Sequence, residues 1–207
     1  MNTVTHDVLV IFAHPAFQKS RVNRTLAGRV KDMEGVTFHD LYEAYPDFHI
    51  DVRHEQGLLR GHDIIVFQHP FFWFSVPALL KEWLDLVLEH GWAYGKDGSA
   101  LAGKKLLSVV STGGREELYQ KDGYNRHRME EFLNPIKQTA HVCKMDYLPP
   151  FVVHGTHMMT GETISRHADD YRRLLAALRD GRFDFESARK LPRLNADLER
   201  LITEQAG

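Results

Sequence analysis

Three stretches of this chain bring together residue types suited to holding a ligand. The first is His14-Pro15-Ala16-Phe17-Gln18-Lys19-Ser20-Arg21-Val22-Asn23, which follows the apolar run Val8 to Ala13 and leads into a helical pattern. The first turn of a helix has free backbone N–H groups and the positive end of the helix dipole, which suits a phosphate. Ser20 and Asn23 could add neutral hydrogen bonds, and His14 and Arg21 charge. As the bare cap of its helix, Ser20 would be in its commoner role. The stretch lacks the Gly-Lys-Ser/Thr ending of a Walker loop and the glycines of a dinucleotide fingerprint, so one monophosphate is the better guess.

The second stretch is Gln68-His69-Pro70-Phe71-Phe72-Trp73-Phe74-Ser75-Val76-Pro77. It is entered from a β-branched run, Ile64 to Val66, and left through a helix that Pro77 opens in the first-turn position. A strand-to-helix crossing of this kind lies at the carboxyl end of a parallel strand, where open α/β sheets place ligands. Four aromatics there either pack within the protein or a subunit contact, or are covered by something flat and large. The third stretch, Ser111-Thr112-Gly113-Gly114, has two glycines that admit a ring edge close to the backbone, with amides free to donate to ring carbonyls. Together the three define a slot with an aromatic wall, a backbone wall and a phosphate anchor. That slot asks for a planar ring system on a phosphorylated tail.

The elements that must position these loops can be read from periodicity. Val8 to Ala13 is the first, central strand; Ser20 caps a helix reaching Met33; Val36 to Leu41 is a strand; Asp51 to Arg60 is a polar helix weakened by Gly57. The helix after Pro77 turns Leu80, Trp83, Leu84, Val87 and Leu88 to the sheet. Lys104 to Ser111 is the fourth strand, and Asn125 to Thr139 a helix with Pro135 perturbing its interior. Met145 to Val153 is a strand region that Pro149-Pro150 assigns to an edge, and Thr160 to Arg179 is a last long helix. The alternation predicts a three-layer α/β sandwich around a five-stranded parallel sheet in the flavodoxin-like order 2-1-3-4-5. We expect residues 1–181 to form this domain and residues 182–207 a helical extension. In the extension, Leu191, Leu194, Leu198 and Leu201 form a narrow stripe suited to a docking helix, with subunit pairing as its further use.

Composition bounds the rest. At 207 residues, 43% hydrophobic and 26% charged, the chain has the makings of one ordinary soluble core. A net charge of -2 gives no reason to expect nucleic acid or an anionic membrane as partner. No apolar run approaches the roughly 20 residues of a transmembrane helix, and no signal-peptide pattern is read at the start. The single Cys143 excludes an internal disulfide framework and fits a reducing cytoplasm. Thirteen histidines show no zinc spacing, and no metal site is expected.

The three stretches, together with Gly91-Trp92-Ala93-Tyr94-Gly95, Tyr45-Pro46-Asp47 and Leu148-Pro149-Pro150, resemble the NAD(P)H:quinone oxidoreductase family. The likeness runs from Val8 to Gly155 and is greatest to a bacterial branch. That branch holds general stress protein 14-like enzymes and ancillary subunits of glutathione-regulated potassium efflux systems. The resemblance implies a flavodoxin-like fold, a tightly bound flavin (FMN in the bacterial branch, FAD in the mammalian one) and a homodimer with flavin at its interface. By that likeness, His14, Ser20, Arg21, Val22 and Asn23 hold the phosphate and ribityl region. Phe71, Phe72, Trp73 and Phe74, with Ser111, Thr112, Gly113 and Gly114, enclose the isoalloxazine.

Tyr119 matches a tyrosine that helps manage charge on the reduced flavin. The carry-over stops there: the histidine position six residues later holds Asn125, and His127 is the nearest histidine for a proton role. The aromatic loop, Phe72-Trp73-Phe74, has also lost a phenol common in the family. The implied activity is a two-step transfer from NAD(P)H through flavin to a quinone or other small electrophilic acceptor, with ping-pong kinetics in one shared slot. The alternatives are an ancillary subunit on the cytoplasmic face of a potassium efflux antiporter, peripheral to the inner membrane, and a flavodoxin-type electron carrier. The near-neutral charge and the non-Thr-rich phosphate loop argue against the carrier.

Overall fold

In a computed structural model describing residues 5–203, continuous apolar runs become strands buried on both faces, as a parallel sheet requires. The elements in order are β1 (Val8–Phe12), α1 (Arg21–Val30), β2 (Val36–Asp40), α2 (Leu41–Ala44), α3 (Val52–Arg60), β3 (Ile64–Pro70), α4 (Ala78–Val87), β4 (Lys105–Ser111), α5 (Met129–Phe132), α6 (Asn134–Val142), β5 (Asp146–Tyr147), β6 (Phe151–Val153), α7 (Gly161–Arg179), α8 (Phe185–Ala188) and α9 (Leu198–Leu201). All strand pairings are parallel, in the order β2-β1-β3-β4-β5, and β6 continues the fifth position along β4. This is the predicted flavodoxin-like sandwich. Pro149-Pro150 splits the edge strand in two, because neither residue can donate to the ladder.

Alternation along β1 separates two cores. Val8 and Val10 pack with α1 and α7, whereas Leu9 and Ile11 pack with Leu59 of α3 and Leu79, Leu80, Trp83 and Val87 of α4. Three local expectations are corrected. Pro77 is the cap residue preceding α4 rather than its first helical residue. The helix expected over Asn125 to Thr139 begins only at Met129 and is broken at Leu133, so Pro135 lies in the first turn of α6, where it costs no hydrogen bond. The C-terminal leucine stripe docks on this domain in short turns rather than as one helix: Leu194, Leu198 and Leu201 are buried in the same core as α7, with Leu191 packed against it. Short turns let this segment cover the sheet's edge. The Asn195 amide accepts from Val152 N–H (3.0 Å) and donates to Val152 C=O (2.8 Å), satisfying backbone groups that an open edge would leave bare. Residues 1–4 and 204–207, the ends of the two expected segments, lie outside the described residues.

Glu55 fastens the second layer. Its buried carboxylate accepts from His39 Nε2 (2.8 Å), Tyr45 OH (2.5 Å) and Trp83 Nε1 (2.7 Å), joining β2, the end of α2, and α4 to α3. Burial raises the carboxyl's pKa, but the three donors outweigh it and hold the group below the usual 4.5. The Glu55 contribution is therefore present above the ordinary carboxylate range and is lost as pH falls through the depressed folded value. Glu55→Gln should cost about 3 kcal/mol, read as a lower urea midpoint at unchanged slope. Its acid destabilisation below about pH 4.5 should also be shallower than that of the wild type.

Candidate functional site

The carboxyl ends of the strands are staggered. Phe12, the last residue of β1, pairs with Gln68, while β3 runs on to Pro70, which pairs with Ser111 at the end of β4. The chain leaving β1 therefore turns away two residues early, and the step it leaves is occupied by the start of α1. Ser20 caps α1 by accepting from Asn23 N–H (3.1 Å), while the N–H groups of Arg21 and Val22 have no partner among the described residues. The Asn23 amide is buried and donates to Ser111 Oγ (2.8 Å) and Ser20 Oγ (3.2 Å), tying the helix start to the far strand.

A cavity of about 480 Å³ opens here, within the usual range for small-ligand sites. Of the residues expected to bind, it is lined by His14, Ser20, Arg21, Val22, Asn23, Phe71, Phe72, Ser111 and Gly113. Lys19, Thr156 and His157 line it as well and escaped the sequence reading; the last two sit on a loop with no glycine-rich or aromatic signature. The lining includes Lys19 and Arg21 and no carboxylate, so an anion meets no repulsion there. His14 adds a donor rather than a charge: burial lowers its pKa, and its Nδ1 accepts from Ala16 N–H (3.1 Å), leaving Nε2 as the N–H.

The remaining expected residues lie around the cavity rather than in its lining. Thr112 Oγ1 bonds Tyr119 OH at 2.6 Å, and the Tyr119 ring packs so tightly on Gly114 that an added Cβ would sit 2.9 Å from it. Tyr119 faces a second cavity, of about 170 Å³, beside His154, whose pKa burial pushes down to about 4. Phe74 stacks on Phe132 (5.1 Å between centroids), and Trp73 is 94% exposed. Trp73 and Phe74 take left-handed backbone, φ 47° and 62° respectively, at a cost on the order of 1 kcal/mol each. His127 is exposed, 3.9 Å from Glu131 and edge-on to Phe132. Among the described residues no cluster of three or more metal-ligating side chains occurs.

The donors fit a phosphorylated planar ring. The N–H groups of Arg21 and Val22 are free for an anion, while Gly113 lies under the His157 imidazole and Gly114 under the Tyr119 ring. An α/β domain with a slot at its strand ends has the doubly wound architecture, in which ligands are placed at that edge. The chain belongs to the flavodoxin-like fold family, whose model matches residues 6–175. It is 49% identical over 164 residues to the glutathione-regulated potassium-efflux system ancillary protein KefG of Yersinia pestis (strain Pestoides F), covering 79% of this chain and 90% of that protein. Among solved structures it is similar to general stress protein 14 of Treponema denticola in complex with FMN (TM-score 0.78, 42% identity, 83% of this chain and 99% of that one). It is also similar to an NADPH-quinone reductase of P. pentosaceus (TM-score 0.74, 32% identity, 81% and 96%). The resemblance drawn from the loop motifs therefore holds.

Asn23→Ala removes the bridge between α1 and β4 and leaves the Ser111 hydroxyl without its buried donor. It should cost about 1–2 kcal/mol, seen as a fall in melting temperature of about 2–4 °C per kcal/mol.

Proposed function

We propose that this protein is an FMN-dependent NAD(P)H:quinone oxidoreductase. The observation that supports this best is the single cavity in which the uncapped N–H groups of Arg21 and Val22 face the same space as Phe71, Phe72 and Gly113. A bound flavin would supply the redox chemistry, taking a hydride from NAD(P)H and passing two electrons to a quinone or similar small acceptor in ping-pong order. The chain's own part is to bind and orient. Ser20, Arg21, Val22 and Asn23 hold the phosphate and the start of the tail, and His14 Nε2–H donates beside them. Phe71 and Phe72 form the ring's wall, and the Gly113 N–H donates to its edge, the Thr112 and Gly114 N–H groups being held by Val153 C=O and Thr112 Oγ1. Tyr119 is a positioning residue, holding the Thr112 side chain and backing Gly114 through its 2.6 Å bond and ring contact. His127 lies outside the cavity lining and has no assigned step.

The partly exposed Phe72 and Phe74 and the protruding Trp73 are suited to a second copy, and we assign the functional unit as a homodimer that completes the ring's cover. FMN is favoured over FAD by the FMN-bound relative. Purified protein should be yellow and release FMN on denaturation, and it should oxidise NAD(P)H with menadione. Ser20→Ala should weaken FMN binding about tenfold by removing a phosphate-side donor. Phe72→Ala should do likewise through the ring. A colourless protein that ignores added FMN would refute the assignment.

A second reading is supported by the KefG relatives: an ancillary subunit of a potassium efflux system, acting at the cytoplasmic face of the membrane. No helix among the described residues is long and apolar enough to cross a membrane, so contact with a transporter would be peripheral. Co-purification with an efflux transporter tests it, and both roles can reside in one protein.

A further inference from the structure

The segment after α7 lies beyond residues 6–175, the span matched by the family model, yet it reaches back to the loop that carries Gly113. Its backbone is fixed near Arg193. Leu194 N–H donates to Pro150 C=O (2.9 Å), the Asn195 amide pairs with both backbone groups of Val152, and the Leu194 side chain is fully buried. Arg193 is therefore presented at a fixed place. Its guanidinium donates to the Glu116 carboxylate through both terminal nitrogens, Nη1 to Oε1 and Nη2 to Oε2 (2.9 Å). An exposed ion pair adds little to stability as a rule, but a two-pronged guanidinium–carboxylate pair fixes direction as well as distance.

Glu116 opens the single turn Glu116–Leu118, and its C=O accepts from Tyr119 N–H (2.9 Å). Tyr119 in turn bonds Thr112 Oγ1 through its hydroxyl (2.6 Å) and lays its ring on Gly114. Arg193, Glu116 and Tyr119 line the same cavity of about 170 Å³. From this chain of contacts we infer that Arg193 is a positioning residue for the flavin site, acting through Glu116 and Tyr119 to fix the loop from Thr112 to Gly114. The inference rests on the flavin reading and deepens it. The Thr112 and Gly114 N–H groups are used within the protein, by Val153 C=O (2.9 Å) and Thr112 Oγ1 (3.3 Å), which leaves Gly113 N–H as the loop's free donor. A donor held in place stabilises the charge that builds on the ring edge on reduction more than it stabilises the oxidised ring. Releasing the Glu116 turn loosens that donor, and reduced flavin then loses more than oxidised flavin does.

The test is the two-electron midpoint potential of the full-length, FMN-loaded protein, with amide hydrogen exchange of the loop measured on the flavin-free protein. Arg193→Met and Glu116→Gln are compared with their double variant and with Arg173→Met, all verified as folded by circular dichroism. The last removes the equally two-pronged Arg173–Glu199 pair (2.6 and 2.7 Å), which ties α7 to α9 and has no member in the loop. Arg193→Met and Glu116→Gln should each favour reduced over oxidised FMN about threefold less than wild type, a fall of about 15 mV for a two-electron couple. The double variant should fall no further than either single one. Loss of a positive and of a negative charge acting directly on the ring would move the potential in opposite directions, so two falls report position rather than charge. Exchange across Thr112 to Gln120 should quicken about threefold in both variants and stay at the wild-type rate in Arg173→Met. Unchanged potentials or unchanged exchange in both variants, shifts of opposite sign, additive shifts in the double variant, or an equal fall in Arg173→Met would overturn the inference while leaving the flavin reading standing. Failure of wild type to bind FMN would overturn the flavin reading, and the inference with it.

Discussion

The upper rim of this protein depends on how far each strand's hydrogen-bond ladder runs. β1 stops at Phe12, whereas β3 and β4 continue together to Pro70 and Ser111. Pro70 has no N–H to carry the ladder further, and the chain leaves as the aromatic loop. The resulting step gives α1 somewhere to begin, and the Asn23 amide fixes it there by bridging Ser20 and Ser111. A buried amide in that position is costly unless its donors are used, so the bridge specifies one placement of the helix relative to β4. The two unpaired N–H groups of α1 thus belong to residues that line the cavity, a consequence of strand length.

Rigidity is unevenly distributed around that step. The floor is held by the Ser20–Asn23–Ser111 network and by β3, every residue of which is buried. The third loop is backed by Tyr119, itself wedged among Phe71, Phe132 and His154. The aromatic loop is held differently. Phe71 is anchored in a small core with Tyr119 and Met129, and the turn from Phe72 to Ser75 closes with reciprocal backbone bonds of 3.2 and 2.9 Å. At its tip Trp73 and Phe74 occupy left-handed backbone that glycine would take without cost. Strain retained at an exposed tryptophan does nothing for the packing of this subunit. It fits a side chain displayed outward for a second surface.

Much of this was legible from residue order. The apolar runs of β1, β3 and β4, the Ser20 cap and the glycine pair after β4 each announce themselves locally, and parallel α/β topology then brings their loops to one edge. What was not legible depends on contacts between distant segments. Nothing around Glu55 says that a charged residue on a polar helix will be buried under three donors from three other elements. Asn195 reads as a loop residue until it is seen pairing with both backbone groups of Val152. Thr156 and His157 reach the cavity where the segment after β6 bonds to the Thr112–Gly114 loop. The C-terminal leucines misled for a related reason: their spacing suits one amphipathic helix, but the covering of β6 breaks the segment into short turns.

The charge of the site also separates local from global reasoning. A net charge of -2 over the whole chain says nothing for or against an anionic ligand. Within the cavity, Lys19 and Arg21 stand without a lining carboxylate, and burial keeps His14 from competing as a third cation. Its fixed Nδ1 acceptor role leaves a directed Nε2–H instead. Two side-chain cations, of which Arg21 is held on Met159 C=O, two backbone amides at a helix start and one neutral imidazole donor make a graded cradle. The cations draw an anion in through solvent, where screening limits their range to roughly 8–10 Å. The amides and the imidazole, fixed in direction, decide how it is oriented once there. An anion at this end would therefore be oriented by groups other than Phe71 and Phe72, which line the same cavity.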